Sequence, residues 1–507
     1  MKKILQFDLA RGRVPRPETV FRIADLLIPH GLGGILFYLE NTVENTVFPS
    51  AGAGKNPVTQ EYLKQVRSFC ESRGIEFIPH FELFSHQENL LALPEMEQYG
   101  DTENAHCFRL DLPELREKIK ARIGEISSCF SSPYIHCGGD EAFTLGLGRS
   151  RAFFEKNGFE NAFADFVNEV NAYIRSIGKI MLLYADTPIV YPGLAEKLDK
   201  EIIMVNWAYC IRNEVYEKEN YHYCRHDIGV AGHRFWVTNN CMAEYVFTPF
   251  YRLEENTAIW RELGANAEAL VISDWGSDQN VNPFVLTLLG ALFALHSFEN
   301  PSYTQDDFLK EAERMILGAE NKAFRDAYRI LLNASGPEYW SSDILFQGTP
   351  LPSFLFEDPD SRTLCVKCGM ADSAKLEQLE SDVRKAVSLL TSIDSASAKH
   401  PDLLNDLKAL SKRVLATAIR ARMCYRYAHD TGGIWFTQPE LEPRIRQYEE
   451  YVSLMRDDLA FLISNWHRDS FDTCLDRAVV FYEKAITSTK KTLRLPENTL
   501  RVFPPKL

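Results

Sequence analysis

The chain has 507 residues, of which 45% are hydrophobic and 25% charged, a balance that suits a globular protein of two or three domains with a core large enough to need no cross-links. Its net charge of −14 argues against a nucleic-acid backbone as the main partner, because phosphate contact needs clustered Lys and Arg. No apolar run reaches a membrane span, the eleven scattered cysteines do not read as a disulfide framework, and the run before Asp8 is too short for a signal-peptide core, so a reducing, cytoplasmic location is expected.

In chain order, short apolar runs alternate with longer amphipathic stretches. The runs cover 3–10, 31–39, 74–82, 134–141, 179–186, 201–209, 232–240 and 269–276. They are rich in Ile, Leu, Val and Phe on both faces, as strands buried on both sides are. Helical patterns lie between them, among them 17–29, 59–73, 112–130 and 162–176, and another follows at 283–298. Eight strand–helix units in about 300 residues are what a (β/α)₈ TIM barrel requires. A doubly wound sheet is the alternative, but no G-x-G-x-x-G follows the first run. Beyond residue 301 only helical patterns remain, at 304–317, 321–332, 373–393, 402–428, 440–464 and 471–491, with a Pro/Ser/Asp-rich loop at 335–370. The expected organisation is a catalytic barrel over 1–300 and an all-α C-terminal domain over 301–507.

In a barrel of this kind the strand ends build the site. They carry Asp8 and Arg11, Tyr38 and Glu40, Glu82 and His86, Asp140 and Glu141, Tyr184 and Asp186, Trp207 and Tyr209, Trp236 and Asn239, and Trp275 and Asp278. The fourth run ends His136-Cys137-Gly138-Gly139-Asp140-Glu141. Two glycines let the backbone turn and a ligand approach closely. Neighbouring residues on a strand point to opposite sides, so the two carboxylates have different environments, and one of them can be kept protonated for general acid catalysis. A bare Asp-Glu would more often be a solvated start to the next helix, where acidic residues suit the dipole. The two glycines and the surrounding polar strand ends favour chemistry. Trp207, Trp236 and Trp275 near three consecutive strand ends suggest an aromatic-walled pocket suited to pyranose rings, although any one of them alone is equally a core residue.

This hexapeptide at the end of a fourth barrel strand resembles glycoside hydrolase family 20, the β-N-acetylhexosaminidases. The segments at 8–15, 36–42 and 78–91 are similar to that family's first three strands, and 274–278 is similar to its last. The stretch 462–477 resembles, more loosely, a helical tail seen in some members. The resemblance implies a retaining exo-hydrolase for terminal GlcNAc or GalNAc that needs no cofactor and no metal. The substrate's own 2-acetamido carbonyl attacks C1 in place of a protein nucleophile. By the same likeness Asp140 orients the acetamido group and Glu141 is the general acid/base. Arg11, with Asp8, binds sugar hydroxyls, Trp275 walls the pocket, and Asp278 binds O4 or O6. Trp207 and Trp236 are placed by strand order alone. Tyr184, Tyr209 and Tyr245 are the candidates for the tyrosine that holds the acetamido oxygen. His86 either supports the acid or is a buried structural histidine, and Asp186 lines the same rim. Two features depart from the family pattern. Asp278 lies three residues after Trp275 where many members show Trp-x-Glu, and, with the first strand expected from residue 3, no sheet domain is expected before it. The helical domain is left to cover barrel surface or to form a homodimer.

Other signals weigh less. Cys365 and Cys368 form a single C-x-x-C, weak without a second pair, and His222, Cys224 and His226 lie in a Tyr- and charge-rich loop. Three rival readings remain. One is a glycosidase for sugars lacking the acetamido group, with Asp186 or Glu82 as nucleophile. Another is a sugar-binding barrel without turnover. The last is a metal-dependent hydrolase with Asp140 and Glu141 as ligands.

Overall fold

The computed structural model describes residues 1–11, 13–52, 58–103, 106–207, 209, 232–241, 250–276, 281–340, 368, 370–429, 438–471 and 475–492. Eight parallel strands close in sequence order into a barrel, with the first paired to the last. They are β1 (Lys2–Asp8), β2 (Gly34–Tyr38), β3 (Glu76–His80), β4 (Tyr134–His136), β5 (Ile180–Tyr184), β6 (Ile203–Trp207), β7 (Phe235–Asn240) and β8 (Ala269–Asp274). Each coincides with one of the eight apolar runs.

The double-sided hydrophobicity of those runs has a direct cause. Leu5, Phe7, Ile35, Phe37, Phe77, Ile135, Met181 and Leu183 point outward into the layer under the helices. Ile4, Leu36, Ile78, Leu182, Ile203, Val205 and Val271 point inward and fill the barrel. Neither face meets water, and each fully buried side chain contributes about 1.5–3 kcal/mol. Farther along the same inward face the residues turn polar or aromatic, namely Gln6 and Asp8, then Tyr38, His80 and Tyr184, all of them buried. Asp8 is level with Tyr38, Tyr38 with His80, and His80 with His136, so these residues form one layer beneath the C-terminal mouth.

Helices Pro17–Leu27, Gln60–Arg73, Pro113–Ser127 and Phe159–Ser176 return the chain after β1 to β4. Two short helices, Asp186–Val190 and Pro192–Lys197, follow β5, while Phe250–Leu263 and Val285–Ser297 follow β7 and β8. Beyond them the described elements are helical: Gln305–Leu317, Lys322–Asn333, Ser373–Thr391, the short 3₁₀ turn Ser395–Ser397, Pro401–His429, Gln438–Asp469 and Leu475–Thr492. Among the described residues no helix is long and apolar enough to cross a membrane.

The helical region meets the barrel through the loop after β1. Arg13, fully buried, donates to Ser470 Oγ at 2.7 Å, to the Asn282 carbonyl and to Asn465 Oδ1, and its guanidinium faces the rings of Phe284 and Trp466. The Phe471 N–H donates to the Val14 carbonyl at 2.9 Å, and the Arg16 N–H to that of Asp469 at 2.9 Å. A second buried arginine, Arg413, pairs with Asp458 at 2.7 Å and donates to Asn282 Oδ1 at 2.9 Å.

Candidate active site

The strand β4 is only three residues long because the chain turns away at Gly138 (φ +57°) and Gly139 (φ +85°). The turn is built around Glu82. Its carboxylate accepts the Gly139 N–H at 3.1 Å and lies 3.1 Å from His80 Nε2. A Cβ on Gly138 would sit 1.9 Å from Glu82 Oε2, so this close approach admits only glycine. Burial, reinforced by Asp140, holds the Glu82 carboxyl well above the usual carboxylate range.

The turn delivers Asp140 and Glu141 to the mouth. Glu141 itself is left-handed (φ +51°). Two hydrogen bonds hold its strained backbone: its N–H donates to Asp186 Oδ2 at 2.8 Å, and its carbonyl accepts from His106 Nε2 at 2.8 Å. Burial, with Asp140 next, pushes Asp186 up to about 8. His106 gives its other nitrogen to Glu88. Burial opposes charge on this ring, but Glu88 and the Glu141 carbonyl outweigh it and raise its pKa.

His86, also left-handed (φ +48°), joins the two acids. Its Nε2 lies 3.3 Å from Glu141 Oε2 and 3.6 Å from Asp140 Oδ2. Burial would discharge the ring, but Asp140, Glu141 and Glu82 outweigh it and push it up to about 12. Asp140 is nine-tenths buried, and its Oδ1 has no hydrogen-bond partner among the described residues. The neighbouring His136 ring is pushed down to about 3 by burial, and it accepts the Gly138 N–H on Nδ1 at 3.1 Å.

Across the mouth, Arg11 Nη1 pairs with Asp8 Oδ2 at 2.8 Å, and the same oxygen accepts the Gly276 N–H at 3.0 Å. The guanidinium lies 5.0 Å from the Trp275 ring and 5.3 Å from that of Tyr38. Burial opposes its charge, but Asp8 outweighs burial and raises its pKa. Trp275 Nε1 donates to the Tyr209 hydroxyl at 2.7 Å, and Tyr209 stacks on Trp207 with ring centroids 5.3 Å apart. Tyr184 lies beneath, buried, with its ring 4.4 Å from His136 and 6.4 Å from Trp207. Glu40 (φ +32°) accepts from Asn89, and burial pushes it up to about 7.

Asp140, Glu141, His86 and Asp186 thus share one set of contacts, and Arg11, Asp8, Trp275, Tyr209 and Trp207 share another. Trp236 belongs to neither, which corrects its expected place at the rim. It is the second residue of β7, not a late one, and it points into the barrel's lower interior against Tyr134, the first residue of β4, at 4.8 Å. Asp278, Tyr245, Cys365, His222, Cys224 and His226 lie outside the described residues. Sequence reading missed His106 and Glu88. His106 sits in a loop with no periodicity, and nothing in linear spacing ties it to Glu141. The His80–Glu82 contact did leave a signal, since two chemistry-bearing residues two apart share one face of an extended segment.

Residues 42–224 match the family described as "Glycosyl hydrolase family 20, catalytic domain". The matched segment includes β3 to β6 and the turn that carries Asp140 and Glu141, and this part of the chain is similar to that family. Several solved structures are similar. The chitobiase of Flavobacterium johnsoniae is 14% identical, and the match covers 97% of this chain and 78% of that one with a TM-score of 0.51. An inactive mutant of the exo-β-N-acetylglucosaminidase of Vibrio harveyi is 18% identical, with coverage of 62% and 57% and a TM-score of 0.46. The β-N-acetylhexosaminidase of Bacteroides fragilis is 16% identical, with coverage of 58% and 65% and a TM-score of 0.44. This chain therefore spans less than two thirds of the length of the last two. No curated protein sequence matches it.

Proposed function

We propose that the protein is a retaining exo-β-N-acetylhexosaminidase that removes terminal non-reducing GlcNAc or GalNAc by substrate-assisted catalysis. The observation that carries this reading is the pairing of Asp140 and Glu141 on one imidazole, with a buried Asp140 oxygen left for a further donor. Retaining glycosidases with a protein nucleophile place their two carboxyls on either side of the scissile bond, about 5 Å apart. Adjacent acids that share His86 do not flank a sugar. They suit a substrate that supplies its own nucleophile, the acetamido carbonyl.

The acetamido N–H donates to Asp140 Oδ1, which turns the carbonyl toward C1 and offsets the positive charge that grows on the group. Intramolecular attack gains from proximity. Glu141 gives its proton to the glycosidic oxygen, then takes one from the water that opens the oxazolinium ring. His86 faces both carboxylates and carries the charge that lets them sit side by side. Arg11, oriented by Asp8, takes the hydroxyls at the far end of the sugar. Trp275, Trp207 and Tyr209 present their faces to its C–H surface, and the Tyr209 hydroxyl is near enough to this wall to be the one that holds the acetamido oxygen.

The test is a panel of aryl β-glycosides of GlcNAc, GalNAc, glucose and galactose, run with the wild type, Glu141→Gln and Asp140→Asn. Hydrolysis of only the acetamido sugars is expected. Glu141→Gln abolishes it while leaving binding measurable, and Asp140→Asn lowers kcat by on the order of 10²-fold or more. Equal hydrolysis of the glucoside would overturn the acetamido mechanism, and unchanged turnover in Glu141→Gln would remove the proton donor.

A further inference from the structure

At the end of the barrel opposite the mouth, three elements distant in sequence bring together two imidazoles and a carboxylate. His30 closes the 3₁₀ turn Ile28–His30 that follows the first barrel helix, His296 lies in the last turn of Val285–Ser297, and Glu311 is on Gln305–Leu317. His30 Nδ1 and His296 Nε2 are 2.8 Å apart, and a ligand atom from each of the three residues lies within 4.8 Å of the other two. We propose that His30, His296 and Glu311 form a divalent-cation site suited to zinc, which fastens the barrel to the first helix beyond it.

Two histidines and one carboxylate, with a water as fourth ligand, are a set that zinc takes in tetrahedral geometry. Zinc–nitrogen bonds of about 2.0–2.1 Å put two ligating nitrogens roughly 3.3 Å apart, so the imidazoles need to part by about half an ångström. Both rings are half-buried, and the neutral imidazole is the form that zinc takes. A hydrogen bond between the two rings accounts for their contact alone. It does not account for the carboxylate beside both. Nor does it account for Tyr303, which stacks on His296 at 5.3 Å and whose buried hydroxyl has no hydrogen-bond partner among the described residues.

The charges around the cluster are mixed. Lys3 and Lys399 oppose a cation, Glu299 favours it, and Arg314 takes one oxygen of Glu311 at 2.8 Å. The other cluster of this composition, His86, Glu88 and His106, differs in kind. Its imidazole nitrogens are already committed to Glu141, Asp140 and Glu88, and it belongs to the active site.

The experiment uses the full-length chain, stripped with a chelator and titrated with Zn²⁺ by calorimetry and with Co²⁺ by absorption, beside His30→Gln and Glu311→Gln. Both substitutions are at partly exposed side chains and leave no cavity, and near-ultraviolet circular dichroism checks their folding. The wild type is expected to bind one equivalent that either variant loses or holds at least about 100-fold more weakly. The Co²⁺ bands of that equivalent carry no thiolate charge transfer, which separates it from any cysteine site. Zinc is expected to raise the Tm of the wild type but not of the variants. Absence of such an equivalent from the wild type overturns the proposal, as does its retention in both variants.

Discussion

Gly138 fixes more of the site than its missing side chain suggests. Alanine there would face both a positive φ and a Cβ 1.9 Å from the Glu82 carboxylate. Glu82 would have to move, and its bond to the Gly139 N–H would go with it. Gly138→Ala is therefore expected to lower kcat/KM by roughly 10²-fold and stability by about 2 kcal/mol, because it opens a buried hydrogen-bond network. Steady-state kinetics and urea unfolding measure both, and activity within a few-fold of wild type would mean that the turn tolerates a side chain. The glycine pair and the two acids were legible in the sequence because they are contiguous. His106 and Glu88 were not, because they reach Glu141 only through the fold.

At the scale of the element, several strands carry polar or ionisable side chains at their C-terminal ends, as Asp8, His80, His136 and Asp274 do. This placement puts carboxyls where water is scarce. Asp274, which ends β8, accepts from the Thr287 hydroxyl at 2.9 Å and is pushed by burial from 3.8 to about 7. Below pH 3.8 the folded and unfolded forms are both protonated. Between 3.8 and about 7 the folded protein keeps a proton that the unfolded chain has released, so stability falls as pH rises, by about 1.4 kcal/mol per unit for this group, and levels off above that window. Asp274→Asn keeps the bond to Thr287 and removes the titration. Its Tm is expected to depend less on pH between 4 and 7 than that of the wild type, and parallel Tm–pH curves would contradict this. Strand positions were readable because a barrel strand buries both faces. The height of a residue within its strand was not, since an apolar run has ragged ends. That is why Trp236, five residues into its run, belongs to the barrel filling while Trp207 and Trp275 stand at the mouth.

Across the whole molecule, the loop that holds Arg11 also holds Arg13, and Arg13 is anchored in the helical region. Arg13→Met would leave the Asn282 carbonyl, Asn465 and Ser470 without their donor. A loss of about 3 kcal/mol is expected, with a KM that rises more than kcat falls, because Arg11 is two residues away. Unfolding of the helices with no change in KM would show that the two parts are uncoupled. The helices themselves were plain from their periodicity. Their docking on the loop after β1 was not, since an arginine two residues from Arg11 looks like another surface charge until its partners, some 450 residues on, are in view.

Among the described residues, Glu40, His86 and Glu141 are the non-glycine residues with positive φ, and they follow three consecutive strands. Each such backbone costs on the order of 1–3 kcal/mol, so one quadrant of the rim carries a debt that the rest of the molecule covers. Selection of variants for heat resistance alone would find its easiest gains by relaxing these three turns. A library enriched that way should drift toward sturdier proteins that have lost the alignment of their acids, and a screen for tougher catalysts would have to score turnover in the same round.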